Sequence, residues 1–248
     1  MAGISIDTYL WAAVGGVLPT FLWLWFWLEE SDHDSSPLLI GLAYIGGMIG
    51  VLILLPLKPY VVGLNLSTNQ ITVLYAILEE VVKFSIVALI TFGSASIHDG
   101  SDYVVYLITG ALGFSALENT LYLVTPILQN SPVNTIVITG NLRFFGATVL
   151  HTMSVAIVGV ILGLAYSAGI FIKSIHAIVG ICLAAGLHIA FNYFIMQGTR
   201  QGTIIAIAGI WFVAVIVILL FDRLRALQEN IASKQITEEI TDPNYQVN

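Results

Sequence analysis

The chain is poor in charge. Of its 248 residues only 9% are Asp, Glu, Lys or Arg, against about 25% in a soluble domain. That is too little to solvate a globular surface, so an ordinary soluble fold is excluded. Cysteine is almost missing too: Cys182 stands alone in an apolar run, and no disulfide can form within the chain. No Lys or Arg precedes the first apolar run, which argues against a cleaved signal peptide. There is no long-period repeat, no low-complexity segment and no His-Glu-x-x-His zinc helix. Basic residues are scarce, eight Lys and Arg against fifteen Asp and Glu, and the net charge is -7. The acids lie mostly in loops and in the C-terminal tail, so nothing marks a nucleic-acid partner.

What replaces charge is hydrocarbon: 58% of residues are hydrophobic and the mean hydropathy is +0.93. A membrane span needs about 20 apolar residues. The runs 9–28, 38–55, 71–92, 103–128, 136–167, 176–196 and 203–221 meet that need. The expectation is an all-α, polytopic bundle of seven spans in contact with membrane lipid. An eighth crossing stays open, because residues 60–69 are too short and polar to span and either lie at the interface or re-enter. Residues 1–222 form the membrane domain and 223–248 a polar tail. Pro19 is expected to kink the first span, and Pro56 and Pro59 to end the second. Glycines at 41, 46, 47, 50, 110, 113, 159 and 163 allow close helix approach. Trp23, Trp25 and Trp27 read as an interfacial belt, and the acidic stretch 29–34 as a solvated loop. His33, His98 and His176 fall in loops or at a span end and are expected to be solvated. Lys173, Arg223, Arg225 and Lys234 outnumber Lys58 and Arg200 across the membrane, which puts the C-terminus in the cytoplasm.

Against this background the run 71–92 is anomalous. Glu79, Glu80 and Lys83 interrupt it near its middle, each costing ~2.5–3.5 kcal/mol on insertion scales. Such groups persist when they are paired, face a wet cavity or do chemistry. Other polar groups lie inside spans: Glu118 and Asn119 in the fourth, Arg143 and His151 in the fifth, His188 and Asn192 in the sixth. Counted along their spans, Glu79, Glu80, Glu118, His151 and His188 all fall about 12–22 Å below one surface. Lys83 is i+4 from Glu79 and i+3 from Glu80, so either carboxylate can pair with it. His188 and Asn192 share a face. Two adjacent carboxylates in low dielectric cannot both ionise cheaply. One kept near neutrality suits general-base activation of water. The histidines can ligate a metal, donate to an oxyanion or move protons.

Glu79-Glu80-x-x-Lys83, Phe114-x-x-x-Glu118-Asn119, Arg143 with His151 eight residues on, and His188-x-x-x-Asn192 together resemble the PrsW family of intramembrane proteases. The resemblance runs from Ile71 to Met196. The wider group is similar to the type II CAAX prenyl endopeptidases and to the scaffold subunit of gamma-secretase. It implies site-specific cleavage of membrane-anchored proteins, in bacterial members anti-sigma factors, and the plasma membrane of a prokaryote. Carried over, it makes Glu79 or Glu80 the base. Glu118 becomes a metal ligand or the orienter of a histidine, and His151 and His188 ligands or oxyanion donors supported by Asn192. Lys83, Asn119 and Arg143 become supporting groups. The family label implies zinc, held by Glu118, His151 and His188, whereas the prenyl proteases imply a glutamate-activated water without metal.

Other readings use the same residues. The acids and imidazoles could form the relay of a proton- or ion-coupled transporter, although no inverted repeat is present. The chain could be a non-catalytic scaffold, although the carboxylate set is complete. Gly113-x-Ser115 could mark a rhomboid-like serine protease, which leaves Glu79, Glu80 and Glu118 unexplained. An aspartyl intramembrane protease is excluded, since none of the seven runs contains an aspartate. Glu80 and Lys83 could also be no more than a structural ion pair between helices.

Overall fold

The computed structural model describes residues 6–30, 36–94, 97–129 and 131–241. His33 and most of the acidic stretch, together with residues 242–248 of the tail, lie outside the described residues. Most of the described residues are helical: α1 (Ile6–Glu30), α2 (Pro37–Leu54), a five-residue α3 (Lys58–Val62), α4 (Thr68–Thr91), α5 (Gly100–Leu128), α6 (Val133–Leu142), α7 (Val149–Leu164), α8 (Ile170–Met196) and α9 (Arg200–Thr241). Among the described residues six stretches are long and apolar enough to cross a membrane: Tyr9–Glu30, Pro37–Val62, Gly100–Leu128, Val133–Leu164, Ile170–Met196 and Arg200–Ile231. The seventh long helix, α4, is set apart by its three central charges. The protein is an integral membrane protein built as an all-α bundle of seven long helices.

The helix starts follow from the local sequence. Ser67 caps α4 in a reciprocal box, its hydroxyl accepting from the Gln70 amide while Gln70 Oε1 accepts from Ser67 N at 2.9 Å. Asp99 and Asp102 form the same box at α5, and Asp102 Oδ2 also accepts from His98 N at 2.6 Å. Asp102 therefore lies in the first turn of α5 as a cap. The end of α2 differs from the expectation. A 3-10 turn, Leu55–Leu57, leads into α3, and one continuous stretch reaches Val62. Pro56 and Pro59 do not stop it because each sits in the first turn of a new helical segment, where no backbone donor is needed. Residues 58–62 form only this short extension, so no eighth crossing arises there. At the other end, α9 runs unbroken through Asp222 to Thr241, and the polar tail starts as a continuation of the last span.

The bundle is organised around α5, which is buried from Gly100 through Ala116 and packs against α1, α2 and α7. Lipid offers no hydrophobic drive between helices, so association depends on close backbone approach. The glycines supply it. A Cβ at Gly47 would overlap the Gly110 carbonyl, and one at Gly113 would overlap the Tyr44 carbonyl. A Cβ at Gly159 would lie 2.6 Å from Val104 Cα. Helices α4 and α8 close one flank of the α5–α7 pair, and α9 packs behind α7 and α8. Four helices, α4, α5, α7 and α8, therefore face a common interior.

Candidate active site

Each of those four helices sends ionisable groups inward, and the groups meet. Glu80 and Lys83 of α4 are both 1% exposed. Lys83 Nζ donates to Glu80 Oε1 at 2.7 Å and to His151 Nδ1 of α7 at 3.0 Å. Its ammonium also stands 5.2 Å from the centroid of the Phe114 ring. Glu80 Oε1 accepts a second bond, from His188 Nδ1 of α8 at 2.7 Å. On the far side His151 Nε2 meets Glu118 Oε2 of α5 at 2.9 Å. The Arg143 guanidinium pairs with that same oxygen and lies 4.2 Å from the centroid of the Tyr122 ring. Asn119 closes this end, its Oδ1 accepting from Arg143 Nε at 2.6 Å and its Nδ2 donating to Thr148 Oγ1 at 2.9 Å.

The partners fix the protons. A lysine ammonium only donates, so His151 Nδ1 carries the lone pair. Glu118, held by Arg143, only accepts, so His151 Nε2 carries the hydrogen. The two constraints agree from opposite sides of the ring. In His188 the hydrogen is on Nδ1, facing Glu80, and the lone pair is on Nε2. That lone pair looks toward Glu79 Oε2, 3.7 Å away and beyond direct hydrogen-bond range. The two imidazoles stand edge to face with centroids 5.1 Å apart.

The adjacent glutamates are not equivalent. Both Glu80 and Glu79 keep a buried Oε2 without a hydrogen-bond partner among the described residues. Glu80 Oε1, however, is committed twice, while among the described residues no side chain donates a hydrogen bond to Glu79. Glu79 is also the more open, with its side chain 15% exposed against 1% for Glu80. Asn192, one turn beyond His188, is half-buried and takes no part in the network.

Glu79, Glu80, Lys83, Glu118, Asn119, Arg143, His151 and His188 thus form one assembly, with Asn192 on its margin. His98 is exposed on a loop, and His176 lies within α8 with Nδ1 2.8 Å from the Ile172 carbonyl. Tyr122 and Thr148 were not singled out in the sequence. Tyr122 is four residues from Glu118 on the same helix, and that spacing was a usable signal. The Ser115 hydroxyl is buried without a hydrogen-bond partner among the described residues, so none of the described histidines is bonded to it.

A family model described as PrsW family intramembrane metalloprotease matches residues 35–221, a stretch that holds every residue of this network. The chain belongs to the PrsW family. It is therefore an intramembrane protease, and its substrates are membrane-anchored. No curated protein and no solved structure matches the chain.

The PrsW description includes a metal, and the residues can be tested for one. Glu79, His151 and His188 each offer a ligand atom within 4.8 Å of the others. This trio contains Glu79 where the sequence suggested Glu118, because Glu118 is already taken by Arg143 and His151. A catalytic zinc needs three protein ligands, and a ligating histidine donates its other N–H to an acceptor. His188 meets that requirement through Glu80. His151 is reversed, since Lys83 occupies its Nδ1 and its Nε2–H is spent on Glu118. As bonded, the PrsW network does not fit a three-ligand zinc site.

Proposed function

We propose that this protease cleaves its membrane-anchored substrates with a water activated by Glu79 and no metal in the reaction. The observation that carries the reading is the asymmetry of the glutamate pair: Glu80 is bound on Oε1 by Lys83 and His188, whereas Glu79 Oε2 has no hydrogen-bond partner among the described residues and stands 3.7 Å from His188 Nε2. A gap of 3.7 Å between Glu79 Oε2 and His188 Nε2 is bridged naturally by one water. Both atoms are acceptors, so that water gives both hydrogens inward and directs a lone pair at a peptide carbonyl. Glu79 takes one proton as the C–O bond forms. The proton then moves to the amide nitrogen as the C–N bond breaks, leaving an amine and a carboxylic acid that keeps the water's second hydrogen. A positioned general base of this kind contributes about 10²–10⁴ in rate.

The remaining groups set geometry and charge. Glu80 holds His188 with its Nε2 lone pair toward the water, and Lys83 balances Glu80. Asn192, i+4 from His188, supplies an amide donor for the oxyanion. Glu118, neutralised by Arg143, orients His151. The C-terminus belongs in the cytoplasm, on the side rich in Lys173, Arg223, Arg225 and Lys234, and the setting is a prokaryotic plasma membrane.

A hydrogen-bonded run from Glu118 through His151, Lys83 and Glu80 to His188, with Glu79 3.7 Å beyond it, also suits a proton relay. One experiment separates the two readings. The chain and its Glu80→Gln, Glu118→Gln and His188→Ala variants are reconstituted in proteoliposomes with a single-span reporter and a pH dye. Loss of cleavage in the variants supports the protease chemistry. Undiminished cleavage in all three, or a proton leak lost in the same variants, refutes it.

A further inference from the structure

The stretch from Val133 to Leu164 is one long helix with a defect in the middle. Over Arg143–Thr148 the backbone winds as a π-helix and absorbs one residue more than α register allows. In a regular α-helix, positions eight apart are turned from one another by about 80°, and positions seven apart by about 20°. Arg143 and His151 are eight apart, yet both reach Glu118 Oε2. The extra residue in the π turn brings their spacing to the equivalent of about seven α-helical positions and places both on one face.

A π turn of this kind sacrifices regular i to i+4 bonding and needs support. Two side chains hold it from opposite sides. Asn119 of α5 bonds its first and last residues, Arg143 and Thr148. Trp211 of α9 donates its indole N–H to the Phe145 carbonyl at 3.0 Å, in the middle of the turn. Trp211 belongs to none of the four motifs.

We infer that Asn119 and Trp211 clamp the π turn and so act as positioning residues for Arg143. Releasing the clamp lets 143–148 fall back to α register, which turns α6 by about 100° and swings Arg143 away from Glu118. The catalytic half of this inference rests on the protease reading above, whereas the register change does not.

The test uses the full chain in nanodiscs with Cys182→Ala and spin labels at Ile138→Cys on α6 and Ile178→Cys on α8, positions 57% and 62% exposed. A turn of about 100° displaces a side chain on α6 by up to about 8 Å. Trp211→Phe removes the N–H and keeps an aromatic ring at a position where the indole packs 5.9 Å from Trp23. Thr148→Val removes the hydroxyl at constant size and serves as the second variant. The expected result is one label distance in the parent and a second, shifted population in both variants. Reporter cleavage is expected to lose about tenfold to a hundredfold in kcat, the scale of a 1 Å misplacement, with KM unchanged. Unshifted distances in both variants overturn the clamp. Shifted distances with an unchanged kcat overturn the positioning role. Shifted distances with a parent that cleaves nothing leave the clamp standing and remove the protease reading.

Discussion

Replacing Lys83 with Met is the sharpest perturbation of the network. Lys83 is 1% exposed and is the one Lys or Arg bonded to Glu80 among the described residues, at 2.7 Å. Methionine keeps the apolar stem and removes the charge, leaving Glu80 as a buried carboxylate whose remaining donor is His188. Breaking a buried ion pair from one side costs about 3–5 kcal/mol, because the partner charge stays uncompensated. Replacing both partners is often close to neutral. Glu80→Gln keeps an acceptor for His188 Nδ1–H, so the Lys83→Met, Glu80→Gln double variant is expected to recover most of the loss. A denaturant-unfolding double-mutant cycle in mixed micelles measures this directly. The expected coupling is about 2 kcal/mol or more, with the Lys83→Met single variant the least stable of the four proteins. Costs that simply add, or a loss under about 1 kcal/mol for Lys83→Met alone, would refute the buried ion pair as the source of the coupling.

Glu79 is expected to behave in the opposite way. Since no side chain among the described residues donates to it, Glu79→Gln leaves unfolding stability within about 1 kcal/mol of the parent in the same assay, the range of substitutions that break no buried bond. Gly47→Ala and Gly113→Ala each drive a methyl into a backbone carbonyl across the α2–α5 contact, and thermal denaturation should show a loss of about 1–3 kcal/mol for each. Purified protein is expected to hold less than one equivalent of zinc by elemental analysis, and to keep its cleavage rate in phenanthroline. Stoichiometric zinc, with activity lost in chelator and restored by zinc, would overturn the tautomer assignment for His151.

Much of the architecture could be read from composition because a bilayer permits so few solutions. Seven apolar runs became seven long helices, and the charges of α4 stood out against their surroundings. The convergence of Glu79, Glu80, Glu118, His151 and His188 was legible as a shared depth along separate spans. The pairing inside the cluster was not. Lys83 lies within helical reach of both glutamates, and which one it takes depends on where α7 and α8 place His151 and His188. The π turn was also hidden, since nothing in Arg143 to Thr148 distinguishes it from ordinary helix, yet it decides that Arg143 shares a face with His151. The helix ends were misjudged for a local reason. Pro56 and Pro59 suit the first turn of a new segment as well as the end of an old one, and the charged residues after Asp222 extend α9.

The most direct measurement is cleavage of a single-span reporter by the reconstituted chain in chelator, compared with its Glu79→Gln variant. Cleavage by the parent, reduced by about a hundredfold or more in the variant, is the result expected of a carboxylate acting as general base. Equal cleavage by both proteins would contradict the assignment of Glu79 and with it the mechanism.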